Sequence, residues 1–155
     1  MRTITLIARD RPAYTAKALT HIAKALCEME PGEFDSLIVS IDPTASGVSS
    51  DVVKVCDLAL ESISDAGLIN CYAYENAAPL GVGGNHQVAL QRAFEEHSSD
   101  FNVLLEDDAL PTPDALDMCR WFHENHGHQT SDYLLLSLCN HNTFGRGTNP
   151  GSLAN

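Results

Sequence analysis

The sequence predicts an α/β fold with a mainly parallel β-sheet and helices on both of its faces. Strand-like runs and helix-like segments alternate strictly along the chain. The strand-like runs are dense in isoleucine, leucine and valine, which is typical of parallel strands that are buried on both faces. Right-handed helical crossovers join such strands, so the strands are expected to end at the same edge of the sheet.

The first half of this alternation begins with the strand-like run TITLIA (3–8), which RDRPAY interrupts. A helix is predicted over 14–29, because apolar residues recur there at helical spacing. PGE ends that helix, and FDSLIVSI (34–41) is predicted as the second strand, followed by Asp42 and Pro43.

The second half of the chain repeats this alternation of strands and helices. A helix predicted over 49–64 leads to a third strand, LINCYAYE (68–75). A further helix over 82–97 leads to a fourth strand, FNVLLE (101–106).

The last predicted helix, 112–126, has the clearest start signal. Thr112 can cap it, Pro113 suits the first helical position, and Asp114 lies in the first turn. DYLLLSLC (132–139) is then predicted as a fifth strand.

The length of 155 residues fits one domain with its own core. No linker, repeat or low-complexity stretch divides the chain, so we expect a domain over 1–145 and a loop-like tail over 146–155. Hydrophobic residues make up 44% and charged residues 19%, which indicates a globular rather than a disordered chain.

The charge balance is acidic, with 21 Asp and Glu against 9 Lys and Arg and a formal net charge of −12. Such a field repels nucleic acid and anionic membranes, although it leaves room for a small phosphorylated ligand held by local donors. The sequence has no leader-like segment and no run of about 18 apolar residues. We therefore expect a cytoplasmic protein that uses neither nucleic acid nor a membrane as partner.

Cysteine usage favours the same compartment. The five cysteines are an odd number without a CxxC pair, and most lie in apolar, periodic surroundings. Buried, reduced thiols are therefore expected rather than a disulfide framework or a zinc site.

Three adjacent carboxylates follow the fourth predicted strand: Glu106, Asp107 and Asp108. They lie too far upstream to cap the helix at 112–126, and no basic residue follows until Arg120. In extended backbone, Glu106 and Asp108 would point one way and Asp107 the other. A divalent cation with hard oxygen ligands, such as Mg²⁺, Mn²⁺ or Ca²⁺, would relieve the repulsion, and a solvated acidic turn is the alternative.

Polar residues at the other strand ends have two possible roles. Asp42 can form a turn before proline or accept from a nucleobase or ribose hydroxyl. Arg9 and Arg11 can be solvated loop charges or donors to a base and a phosphate. Three glycines precede a helix: Gly81, Gly83 and Gly84. The segment GVGGN lacks the third glycine of a dinucleotide-binding fingerprint. We therefore expect these glycines to let the loop approach a ligand.

Taken in order, these motifs resemble the donor-binding half of a GT-A glycosyltransferase, most of all the N-acetylglucosaminyltransferase I group. ARDRP (8–12) is similar to that family's Cys-Asp-Arg-Ser-like loop, and IVSID (38–42) to its Ile-Val-Ser-x-Asp strand end. The helix carrying His86, the strand end LEDD (105–108) and the later segment SLCNHN (137–142) match further family features in the same order.

The resemblance implies a Rossmann-like GT-A domain that binds a nucleotide sugar, most simply a UDP-linked one. Asp108 would hold Mn²⁺ or Mg²⁺. The residues implied to contact the nucleotide sugar are Arg9, Arg11, Asp42, His86, Glu106 and Asp107. Within this set Glu106 and Asp107 would face the sugar, whereas Arg11, Asp42 and His86 would line the uracil and ribose pocket.

The resemblance also implies transfer of a hexosyl or N-acetylhexosaminyl group to an acceptor that the sequence does not identify. The family's acceptor half and catalytic base lie beyond the fifth strand, where this sequence ends. Four alternatives therefore stand: a fragment, a minimal transferase whose site a partner chain or a second copy completes, a non-catalytic module that binds or sequesters its ligand, and an interaction domain that retains only the fold.

Overall fold

The computed structural model describes residues 1–127, in which four strands alternate with four helices. The strands are Arg2–Ala8 (β1), Ser36–Ile41 (β2), Asn70–Glu75 (β3) and Phe101–Glu106 (β4). The helices are Pro12–Glu28 (α1), Ser50–Asp65 (α2), Gly81–Gln91 (α3) and Pro113–His126 (α4), and a π-helical turn over Arg92–Glu96 continues α3. The strand predicted at 132–139 and the tail predicted at 146–155 lie outside the described residues.

The four strands form one parallel sheet in the order β3-β2-β1-β4, which confirms the predicted fold class. At the carboxyl edge of the sheet, Ala8 pairs with Ile41 and Ile7 pairs with Glu106. The loops that follow β1, β2 and β4 therefore leave the sheet side by side. This register brings the three polar strand ends of the sequence to one place.

The apolar core lies on the face of the sheet that α1, α2 and α4 cover. Ile4 and Leu6 of β1 and Leu37 of β2 are fully buried there against Ile22 of α1. Burying each such side chain contributes roughly 1.5–3 kcal/mol relative to leaving it in water. This face accounts for the apolar periodicity of the helices in the sequence.

The opposite face of the sheet, covered by α3, combines a buried isoleucine, Ile38, with several polar side chains that the sequence analysis did not expect there. Thr3 and Thr5 of β1 are fully buried, and the Asn102 side chain donates to both hydroxyls over 2.7 Å. Because side chains alternate along a strand, the same strands supply apolar residues to one face and hydroxyls to the other.

The edge strand β3 is largely exposed, and Tyr72 on it is 41% exposed. Among the cysteines, Cys56 and Cys119 are buried as expected, Cys71 is partly buried and Cys27 is exposed. All cysteines within 1–127 carry free thiols, and burial raises the pKa of Cys56 to about 12 and that of Cys119 to about 11.

Helix α4 begins as its sequence signal predicts. The Thr112 hydroxyl accepts from the backbone amide of Ala115 over 3.3 Å, and Pro113 occupies the first helical position. Residues 107–111, which lie between β4 and this cap, are therefore not needed to start the helix.

Candidate functional site

An open cleft of about 190 Å³ lies at the carboxyl edge of the sheet, between the loop after β1, the start of α3 and the end of β4. Six of the seven site residues expected from the sequence line it: Arg9, Arg11, Asp42, His86, Glu106 and Asp107. The seventh, Asp108, contacts the cleft residue Arg11. Ligands of open α/β sheets bind at this edge, so the position agrees with the sequence-based expectation.

Asp42 lines the cleft and is 2% exposed. Its Oδ1 accepts from the backbone amide of Leu80 over 2.9 Å and its Oδ2 from that of Gly81 over 3.0 Å. Gly81 adopts a φ of +70°, a conformation that favours glycine, as it begins α3. The carboxylate therefore holds the glycine loop against the sheet, a structural role that accompanies its place in the cleft.

A buried amide network that sequence reasoning missed supports Asp42. Asn76 donates to Asp42 Oδ1 over 3.4 Å and to Asn85 Oδ1 over 2.9 Å. Asn85 is 1% exposed, and its Oδ1 also accepts from the Ser40 hydroxyl over 2.7 Å, which in turn accepts from Arg92 over 2.9 Å. Only the polar Ser40 within an apolar strand could have signalled these partners.

The acidic cluster is paired with a cation, Arg11, which precedes it in the sequence rather than following it. Arg11 Nε donates to Asp107 Oδ2 over 3.2 Å, and Arg11 Nη2 donates to Asp107 Oδ1. Arg11 Nη1 donates to Asp108 Oδ2 over 3.3 Å, and the guanidinium carbon lies 5.2 Å from the ring centre of Tyr14. The partner is 96 residues away in the sequence, which is why a local reading of the motif missed it.

Exposure alternates along the acidic cluster as predicted. The side chains of Glu106 and Asp108 are 52% and 50% exposed, whereas that of Asp107 is 3% exposed. Burial raises the pKa of the Asp107 carboxyl, and the hydrogen bonds and charge of Arg11 oppose that rise. The guanidinium therefore favours the ionised form of this carboxyl, whereas burial and the neighbouring carboxylates favour the protonated form.

His86 and Glu106 meet across the cleft from α3 and β4. His86 Nε2 lies 3.3 Å from Glu106 Oε1, and His86 Nδ1 lies 2.6 Å from the carbonyl oxygen of Val82. The imidazole is thus oriented by its own helix while its other nitrogen faces a carboxylate. Both side chains line the same cleft as Arg11.

The described part of the chain, residues 1–127, contains no group of three or more His, Cys, Asp or Glu arranged to hold a metal ion. A Mg²⁺-like ion nevertheless needs only one or two protein carboxylates, with substrate phosphates and water completing its shell. Asp108 fits that requirement, because its carboxylate is half-exposed and offers hard oxygen donors beside the cleft. Arg11 shares one of those oxygens, so an ion would compete with the guanidinium for Asp108.

Comparison with known proteins identifies the fold. A scan against protein-family models finds no match, and a search of the curated proteins finds none either. Among solved structures, the chain is similar to S. aureus TarS 1-349, to the same protein in complex with UDP-GlcNAc, and to its complex with UDP. Each match has a TM-score of 0.59 and 16% sequence identity and covers 81% of this chain.

The match covers only 32–33% of the TarS chains, so this chain spans about a third of their length. The similarity shows a Rossmann-like, GT-A-like glycosyltransferase fold, and it does not single out the N-acetylglucosaminyltransferase I group. No helix within the described residues is both long enough and apolar enough to cross a bilayer.

Proposed function

We propose that this chain is the donor-binding domain of a GT-A glycosyltransferase and that it binds a nucleoside diphosphate sugar, preferably a UDP sugar, in the strand-end cleft. One observation supports this most strongly. Residues expected separately at three strand ends meet in a single cleft of a glycosyltransferase-like fold. TarS structures contain UDP-GlcNAc and UDP, which favours the same ligand class here.

The charges around the cleft indicate that arginines and a divalent cation would together neutralise the diphosphate. A diphosphate is an anion, and it must enter a site bordered by the carboxylates Glu106, Asp107 and Asp108. It therefore needs counter-charge, which Arg9 and Arg11 supply in part and a divalent cation on Asp108 would complete.

The uracil and ribose would then lie beside Asp42 and His86. Asp42 and His86 offer an acceptor and an imidazole there, and both line the cleft. The sugar would face Glu106, which is half-exposed at the end of β4. This arrangement retains the assignment implied by the N-acetylglucosaminyltransferase I resemblance.

When bound, Mn²⁺ or Mg²⁺ would stabilise the negative charge that develops on the departing diphosphate. The chain's own residues bind and orient the donor: Asp108 holds the cation, Arg11 donates to the phosphates, and Asp42 keeps the glycine loop in place. Transfer to an acceptor additionally needs a positioned nucleophile and a base. We propose that a further segment or a partner chain supplies these, so the isolated chain should hydrolyse the donor slowly at most.

The proposal is tested by calorimetric titration of UDP with Mn²⁺ and with EDTA. Wild type should bind UDP more tightly with Mn²⁺, and Asp108→Ala should lose that enhancement. Asp117→Ala is a matched control. Like Asp108, Asp117 is a half-exposed carboxylate beside an arginine: it is 54% exposed and lies 3.5 Å from Arg120, but it does not line the cleft. Equal UDP affinity of wild type in Mn²⁺ and EDTA would contradict the metal assignment.

The same titration with GDP and ADP tests the base assignment. Wild type should prefer UDP, and Asp42→Asn should weaken UDP binding by about 1–3 kcal/mol through loss of a charge-assisted hydrogen bond. Equal affinities for the three nucleotides in wild type would exclude uracil recognition by Asp42.

A further inference from the structure

The guanidinium of Arg11 is divided between two carboxylates that differ sharply in exposure. Nε and Nη2 contact Asp107, whose side chain is 3% exposed. Nη1 contacts Asp108, whose side chain is 50% exposed, over 3.3 Å. One arginine thus serves as counter-ion to a buried and to a solvated charge at once.

The two contacts differ in how easily they can be broken. A buried carboxylate that loses its only cation remains as an uncompensated charge in a poorly solvated place. An exposed carboxylate that loses an arginine is solvated by water instead, and such pairs contribute little to stability. The contact between Nη1 and Asp108 is therefore the separable one, and it can open while Nε and Nη2 remain on Asp107.

We propose that Arg11 couples cation binding to nucleotide binding at this site, an inference that rests on the proposed function. Without ligand, Nη1 occupies Asp108 and opposes binding of a divalent cation there. A diphosphate in the cleft accepts from Nη1, and this releases the Asp108 oxygen to the cation. Cation and nucleoside diphosphate then bind together, whereas either one alone binds weakly.

This coupling is reciprocal by thermodynamic necessity. The factor by which UDP tightens Mn²⁺ equals the factor by which Mn²⁺ tightens UDP. Part of that factor comes from direct contact between the ion and the diphosphate. The contribution of Arg11 to this factor is lost when Asp108 no longer shares the guanidinium, whereas the contribution of direct contact remains.

The test replaces Arg11 with lysine, which keeps the net charge. A single ammonium cannot serve both carboxylates in the way the planar guanidinium does, and the buried Asp107 takes it. Arg11→Lys should therefore bind Mn²⁺ without UDP about five- to tenfold more tightly than wild type, and the enhancement by UDP should fall by a similar factor. Binding of Mn²⁺ is followed by electron paramagnetic resonance of the free ion, with and without UDP.

Arg120→Lys is the matched control, because Arg120 also lies near several carboxylates, Asp117 and Glu124 among them, but away from the cleft. Its Mn²⁺ affinity should equal that of wild type. The double variant Arg11→Gln/Asp107→Asn replaces both members of the buried pair and again frees Asp108, so it should show the same gain even if Arg11→Lys does not fold.

The outcomes separate the two proposals. If wild type binds UDP with Mn²⁺ while Arg11→Lys and the double variant keep the wild-type affinity for Mn²⁺ alone, the coupling is overturned and the proposed function stands. If wild type binds no UDP in either condition, the proposed function fails, and the coupling fails with it.

Discussion

Two buried carboxylates end the strands on either side of β1, and the fold stabilises them by different means. Asp42 follows β2, and Asp107 follows β4; each is 2% exposed. Asp42 accepts from the backbone amides of Leu80 and Gly81, whereas Asp107 accepts from the guanidinium of Arg11. The same residue type at equivalent places thus has a main-chain environment in one case and a side-chain environment in the other.

The difference determines which end of the cleft can respond to a ligand. Backbone amides at the start of α3 cannot leave Asp42 without unfolding the helix, so that end is fixed. Arg11 lies on a loop, is 45% exposed and already serves a second acceptor, so the other end can change partners. Under the proposed function, the end that would bind the base is therefore rigid and the end that would bind the phosphates is adaptable.

The largest expected effect on stability is at Asp42, the fixed end of the cleft. Asp42→Ala leaves two backbone amides and the Asn76 side chain without their acceptor, and it should lower the free energy of unfolding by about 3 kcal/mol. Urea denaturation measures the change. The exposed Asp10→Ala in the neighbouring loop should stay within about 0.5 kcal/mol. A loss below about 1 kcal/mol for Asp42→Ala would show that the helix start does not depend on this carboxylate.

The next effect concerns the adaptable end and depends on pH. Arg11→Met should lower the free energy of unfolding by about 2 kcal/mol at pH 7, below the range for fully buried pairs because the guanidinium is half-exposed. Burial already raises the pKa of Asp107, and removing Arg11 removes the opposing contribution. A carboxyl with a raised folded-state pKa favours the folded state below its unfolded pKa, and that advantage is lost as pH rises through the folded value.

The deficit of Arg11→Met should therefore be largest at neutral pH and should shrink as pH falls and Asp107 becomes protonated. Urea denaturation at pH 7 and at about pH 4.5 measures both values. A deficit that grows on acidification would contradict the assignment of Arg11 as the counter-ion of Asp107.

A smaller effect tests the support of the fixed end. Asn85→Ala removes the acceptor shared by Ser40 and Asn76, so it should cost about 1–2 kcal/mol. It should also weaken UDP binding, because Asn76 then holds Asp42 less firmly, while Mn²⁺ binding in the presence of saturating UDP stays as in wild type. Loss of Mn²⁺ binding in this variant would show that the two ends are not independent.

The smallest effect is expected at Glu106, which ends the same strand as the acidic cluster but is half-exposed. Glu106→Gln should change the free energy of unfolding by no more than about 0.5 kcal/mol, since an exposed carboxylate near a histidine contributes little. A loss above about 1.5 kcal/mol would mean that exposure does not determine which of these carboxylates the fold depends on.

Much of the fold could be predicted because it depends on local patterns. The predicted strand 101–106 is the observed β4, and Thr112 caps α4 as its sequence signal indicates. The helix predicted over 82–97 ends as an α-helix at Gln91 and continues as a π-helical turn, which apolar spacing does not reveal.

The position of the candidate site could be predicted from the sequence, but the hydrogen-bond partners of its residues could not. Parallel strands end at one edge, so the meeting of Arg11, Asp42 and Asp107 follows from the fold class. Their partners do not, since Arg11 reaches Asp107 across most of the chain and Asn85 joins the network only through the packing of α3 on the sheet. Local sequence reasoning treats each strand end separately and therefore overlooked both.

The position of β1 at the centre of the sheet has a consequence for how the chain folds. Thr3 pairs with Ser36 on one side and with Asn102 on the other, so β1 and β2 can associate early in synthesis while β4 must close a long loop. Arg11 is synthesised long before its carboxylate partners and meets them only when β4 docks. Formation of the contact between Arg11 and Asp107 therefore reports docking of β4 on β1, and a ligand that needs this cleft can select only chains in which β4 has docked.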